Sequence, residues 1–147
     1  MSAASDSPDK LSIVVFSGCY DRVQYALAIA AAALAANKAA TLFFTMGALK
    51  ALLAADDEGP GWRHLPPGED GRAPLDADRS LTAAGLGGFE ELLEACVDLG
   101  GQVMVCEMGL RSLGLTLADL RPDVPVTPGG LVTLLTQASC TGAVLFV

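Results

Sequence analysis

Gln102-Val103-Met104-Val105-Cys106-Glu107-Met108-Gly109-Leu110-Arg111 is the stretch whose reading decides the fold. Gln102 to Val105 is a short apolar run of strand length, and from Glu107 the pattern turns helical, with an end near Gly114. Cys106 therefore sits where a strand runs into a helix. Backbone N–H groups and the positive end of a helix dipole at such a place favour thiolate over thiol. In open α/β sheets, ligands and chemistry collect outside the carboxyl ends of the strands.

Working outward, Gly100-Gly101 ends a helix that shows i, i+3, i+4, i+7, i+8 spacing in Phe89, Leu92, Leu93, Cys96 and Val97. Leu11 to Phe16 and Ala40 to Thr45 read as buried strands, and Ala143 to Val147 as a closing strand. Helices are expected over Asp21 to Asn37, with Asp21 as N-cap, over Met46 to Ala55 and over Gly130 to Ser139. Thr116 to Leu120 suits a brief helical turn, and the Pro122, Pro125 and Pro128 stretch reads as a connection. Strands apolar on both faces that alternate with helices predict an α/β fold. The expected architecture is a small flavodoxin-like sandwich, a parallel sheet of four to five strands with helices on both faces. Residues 1–10 read as a flexible leader and 11–147 as one domain, interrupted by a Pro/Gly/Asp-rich insertion at about 56–88. A segment that long without periodicity suits either a functional lid or a disordered excursion.

Composition narrows the function classes. Hydrophobic residues make up 52% and charged residues 18%, which suits one well-cored domain. A net charge of −8 with nine scattered Lys and Arg argues against nucleic acid as a partner. Tyr25 to Ala36 is too short to span a bilayer, and the polar start of the chain is not a signal peptide, so the expected address is cytoplasmic. Four cysteines without a CxxC pair, and one histidine, His64, in a Pro/Gly-rich loop, point to free thiols and away from a metal site. Gly85-Leu86-Gly87-Gly88 lacks a preceding strand and a following Lys-Ser/Thr, which excludes a phosphate loop. No cofactor is called for.

Four motifs follow in order: the first strand ending in Gly18 with Asp21 opening an alanine-rich helix, then Phe43-Phe44-Thr45-Met46-Gly47, then Gly100-Gly101-Gln102-Val103-Met104-Val105-Cys106-Glu107-Met108, and Gly129-Gly130 before the last helix. Together they resemble the DsrE/DsrF-like sulfur-relay proteins, the group that includes TusD-type subunits. The resemblance implies a persulfide-carrying cysteine at the end of the third main strand, the place of Cys106, and a second cysteine in the preceding helix, the place of Cys96. It also implies sulfur donor and acceptor proteins as partners and closed homo-oligomers of three subunits or a multiple.

Each candidate has a plainer reading beside the functional one. Cys106 is either a reactive thiol or a packed core residue. Cys96 lies on an apolar helical stripe, so periodicity alone makes it core. Cys19 closes the first strand; a 2-1-3 strand order would bring it beside Cys106, and otherwise it is a loop cysteine. Cys140 reads as structural. Tyr20 is placed to donate to a bound sulfur species or to be exposed, and Met108 and Gly109 to allow close backbone approach to a terminal sulfur. Arg111 is placed to stabilise an anionic persulfide or to form a surface salt bridge. Trp62, Arg63 and His64 either pin their own loop or form a lid.

The favoured function is a sulfur carrier, sulfurtransferase-like, working through a persulfide on Cys106. The alternatives are a non-catalytic assembly subunit of a ring-shaped relay complex and a small-molecule binding module.

Overall fold

Five parallel strands lie in the order β4-β3-β2-β1-β5: β1 Lys10–Val15, β2 Ala39–Phe44, β3 Gln102–Cys106, β4 Thr127–Gly129 and β5 Ala143–Phe146. The computed structural model describes residues 6–147. Residues 1–5 of the expected leader lie outside the described residues. The part that follows is fastened to the body, since Lys38 Nζ donates to Ser7 Oγ at 2.7 Å and Lys10 opens β1.

Helix α1, Tyr20–Ala35, turns Tyr20, Val23, Ala26, Leu27, Ala30 and Ala33 inward at helical spacing. Its many alanines let it lie close to its neighbours. Asn37 stops it with φ 62°, and Lys38 N–H closes back onto the Ala33 carbonyl at 2.9 Å. Helix α3, Phe89–Asp98, packs beside it and buries Phe89, Leu93 and Cys96. The main core joins these helices to one face of the sheet, through Ile13, Val15, Leu42, Phe44, Val103 and Val105.

The alternate residues of the same strands form the other face. There Phe43, Met104 and Cys106 cluster with Leu134, and Val14 packs against them. Leu134 belongs to α5, Leu131–Gln137, the crossover from β4 at one edge of the sheet to β5 at the other. Leu134 is the one buried residue of α5, an attachment worth about 2–3 kcal/mol.

Four expectations need correction. First, β1 is flanked by β2 and β5 and not by β3, so the anticipated 2-1-3 order is replaced by one in which β2 separates β1 from β3. Second, Thr127–Gly129, read as part of a connection, pairs with β3 as an edge strand; Pro128 is tolerated there because the outer side of an edge needs no ladder donor. Third, the 56–88 insertion carries a 3-10 turn, Gly61–His64, and a helix α2, Pro74–Ala83, with Pro74 in its first turn. Fourth, the short helix expected over Met46 to Ala55 is a 3-10 helix over Met46–Leu52.

The insertion is welded to the body by aromatic packing. Trp62 is 1% exposed and stacks on Phe89 with ring centroids 5.0 Å apart, and Tyr20 lies 5.7 Å from Trp62. Trp62 Nε1 donates to Glu90 Oε1 at 2.8 Å, and Arg121 grips both Glu90 oxygens at 2.8 Å. Tyr20 N–H donates to the Pro66 carbonyl at 3.0 Å.

Candidate functional site

Cys106 ends β3 and caps the short helix α4, Glu107–Ser112. The cap is made by sulfur: Gly109 N–H donates to Cys106 Sγ across 3.4 Å. Such a donor stabilises negative charge on the atom it points at. The carboxylate of Glu107 is exposed next to it in sequence and opposes that charge only through solvent.

Gly109 has to be glycine here. A Cβ at that position would stand 2.8 Å from Leu49 Cδ1 and 2.9 Å from the Met46 backbone nitrogen. Its close approach is therefore to the backbone following β2, and its N–H is what reaches the sulfur. Met46 itself has φ 48°, a left-handed conformation that a non-glycine residue rarely holds, and its Sδ lies 3.7 Å from Ser112 Oγ. The turns after β2 and β3 are thus locked together beneath the thiol.

The thiol does not face open solvent. Cys106 is 1% exposed and shares a buried cluster with Phe43 and Met104 of the sheet and Leu134 of α5. Strand parity decides this: Met104 and Cys106 are two residues apart and so share the face that α5 crosses.

The other candidates fall into distinct places. Met108 is 63% exposed on the outer side of α4, and Arg111 is exposed in the last turn of the same helix. Neither Met108 nor Arg111 belongs to the enclosure of Cys106. Cys19 is half-buried as the N-cap of α1, which follows β1, and β2 separates β1 from the strand that carries Cys106. Asp21 lies inside the first turn and is not the cap; its carboxylate accepts from Arg22 N–H at 2.9 Å and Glu69 N–H at 3.1 Å.

Tyr20 is 2% exposed and its hydroxyl donates to Asp78 Oδ1 at 2.7 Å, which also accepts from Phe89 N–H at 2.6 Å. Burial, reinforced by that carboxylate, pushes the Tyr20 hydroxyl far above the ordinary tyrosine value. Its donor is committed to holding the insertion, which removes it from the sulfur site. Cys96 is fully buried between α1 and α3, where its Sγ donates to the Leu27 carbonyl at 3.4 Å. Burial pushes its thiol up to about 11. Helical periodicity is the reading that matches this burial. Cys140, expected to be structural, is exposed in the turn before β5.

That Phe43, Met104 and Leu134 cluster with the thiol escaped the sequence reading. The one signal was the common parity of Phe43, Met104 and Cys106 along paired strands, and Leu134 carried none. A cleft of about 390 Å³ lies elsewhere, lined by Glu90, Glu94, Asp98, Arg121 and Asp123 among others. Among the described residues no three His, Cys, Asp or Glu side chains converge as a metal site would require, and no helix is long and apolar enough to cross a membrane.

The model of the DsrE/DsrF-like family matches residues 9–146. No match is found among curated protein sequences. Two similar solved structures are the protein of unknown function MTH1491 from Methanobacterium thermoautotrophicum and the ychN protein from E. coli. The first has a TM-score of 0.56 at 13% identity and covers 94% of this chain and 98% of that one. The second has a TM-score of 0.56 at 18% identity and covers 94% and 99%. Both likenesses concern the fold.

Proposed function

Because the chain belongs to the DsrE/DsrF-like family, a family linked to sulfur relay, we propose that it is a sulfur carrier whose Cys106 holds a sulfane sulfur as a persulfide. The observation that carries this reading is the placement of Cys106 at the carboxyl end of β3 with the Gly109 N–H aimed at its sulfur. In the loading step, Cys106 thiolate attacks the outer sulfur of a donor persulfide. A new S–S bond forms, the old one breaks, and the donor leaves as a thiolate. In the unloading step an acceptor thiolate attacks the outer sulfur on Cys106, takes it, and Cys106 returns to thiolate. Neither step needs an external oxidant or reductant, and both follow the rules of thiol exchange.

Donor and acceptor are thiol-bearing proteins, met in the reducing cytoplasm, and the 11–147 body acts as one domain. The carrier works as a homo-oligomer, a ring of three subunits or a multiple. Phe16, Val144 and Phe146 support this, being 46%, 51% and 72% exposed in a row at the β1–β5 edge of the sheet, with the Phe16 and Phe146 rings 5.4 Å apart.

The test is mass spectrometry of the intact protein after exposure to a persulfide donor. The expected result is a gain of one sulfur mass that disappears in Cys106→Ser; a gain that persists in that variant overturns the proposal. One observation favours a second reading, a non-catalytic assembly subunit: the 1% exposure of Cys106. Failure of Cys106 to react with an alkylating agent under native conditions would select it.

A further inference from the structure

The enclosure of Cys106 is asymmetric. Two of the residues clustered with it, Phe43 and Met104, belong to central strands of the sheet. The third, Leu134, rides on α5, a seven-residue helix with no side-chain cap at either end. A helix this short has little stability of its own and depends on what holds it down. On α5 that is Leu134, because Leu131, Val132 and Leu135 point outward at 49%, 78% and 60% exposure.

The two ends of α5 are tied differently. Gly130 precedes it, and a Cβ there would meet nothing within 4 Å, so the chain is unpacked at that point. Beyond its other end, the turn is fastened to the start of β1. Asp9 accepts from Ser139 Oγ and from Thr141 Oγ1, each at 2.7 Å, and Lys10 Nζ donates to the Gln137 carbonyl at 2.9 Å. Gly142 packs so tightly on the Lys10 carbonyl that an added Cβ would lie 2.5 Å from it.

From this arrangement we infer that α5 is a hinged cover over Cys106, pivoting at Gly130 and latched by Asp9, and that its local release exposes the thiol while the rest of the fold stays intact. The inference rests on the sulfur-carrier reading for its purpose: a cover would shield a persulfide from adventitious thiols until a partner displaces it. Local opening of a weakly anchored segment needs far less free energy than global unfolding.

The chain contains its own control. Cys96 is buried in the body between α1 and α3, inside the main core that holds the fold together. Native full-length protein is treated with iodoacetamide, and labelling of each cysteine is followed by site-resolved mass spectrometry. Rates are normalised to those of the same cysteines in unfolded protein. Cys106 is expected to label at least ~10-fold faster than Cys96. Asp9→Ala, which removes both latch bonds, is expected to raise the Cys106 rate about tenfold and leave the Cys96 rate within about twofold. Leu134→Ala, which withdraws the covering side chain, is the second variant and should raise the same ratio.

A common rate for Cys96 and Cys106 overturns the cover, as does a ratio that neither variant moves. The two ideas can fail separately. Selective labelling of Cys106 without sulfur gain from a persulfide donor leaves the cover and removes the carrier. Sulfur gain on Cys106 with a ratio of one does the reverse.

Discussion

Gly109 gives its backbone N–H to Cys106 Sγ at 3.4 Å and leaves no space at its own Cα for a side chain. One residue thus orients the sulfur and joins the turn after β3 to the turn after β2. Gly109→Ala would drive a methyl group into Leu49 and the Met46 backbone, and a backbone atom cannot step aside as a flexible side chain can. A loss of about 1–3 kcal/mol is expected, read as a fall in Tm. Sulfur loading of the folded variant should also slow as the N–H is pushed off the sulfur. Unchanged Tm and loading would show that the close packing of these turns has no consequence.

Cys96 distinguishes packing from relay. Its thiol is fully buried, pushed up to about 11, and bonded to the Leu27 carbonyl. Cys96→Ala should lower stability by about 1 kcal/mol through the lost sulfur contacts, while sulfur gain on Cys106 stays at the wild-type level. Loss of loading in a variant that remains folded would return Cys96 to the chemistry.

Trp62 is the only tryptophan, so its fluorescence reports on the docking of the insertion. Trp62→Phe keeps an aromatic ring against Phe89 and loses the bond from Nε1 to Glu90. It should cost about 1 kcal/mol, and Trp62→Ala about 3–5 kcal/mol, measured by denaturant unfolding. Equal effects from both would mean that the ring contributes nothing beyond its hydrogen bond.

Acid should loosen the same junction. Hydrogen bonds from Arg121, with a further one from Trp62, hold the Glu90 carboxyl below its ordinary 4.5, and Arg121 acts likewise on Asp123. A depressed carboxylate contributes stability that is present above its unfolded value and lost as pH falls through its folded value. Tm should therefore decline on titration from about pH 5 to about pH 3, and Arg121→Gln should flatten that decline. A slope identical in the variant would place the acid sensitivity elsewhere, for instance at Asp70, which its own bonds with Arg72 lower.

Which parts of the molecule could be read from residues alone follows from what each signal encodes. Apolar runs such as Leu11 to Phe16 and Gln102 to Val105 marked the central strands because both faces of those strands are covered. β4 was missed because its three residues include Pro128, and an edge strand carries no apolar signature. α2 was missed because it buries only Pro74 and Ala77, too few residues to show a period. The neighbour relation of β1 and β3 was misjudged because strand order depends on where each crossover packs, and nothing within a strand records that. The position of Cys106 was legible from the strand-to-helix change beside it. Its burial was not, since Leu134 joins the same cluster from a different element, the long β4-to-β5 crossover.

That crossover governs how the molecule assembles. β5 completes the sheet by pairing with β1, and 130 residues separate Asp9 from Ser139, which it bonds. During synthesis β1 gains its second neighbour only once the chain has been made out to residue 146, so one flank of that strand stays open until then. Pairing at such long sequence separation is slow, and an unpaired flank of this kind is where nascent chains stick to one another. The stretch that shields the sulfur is also the one that completes the sheet, so a ribosome-bound chain should present an open thiol before it presents a finished fold.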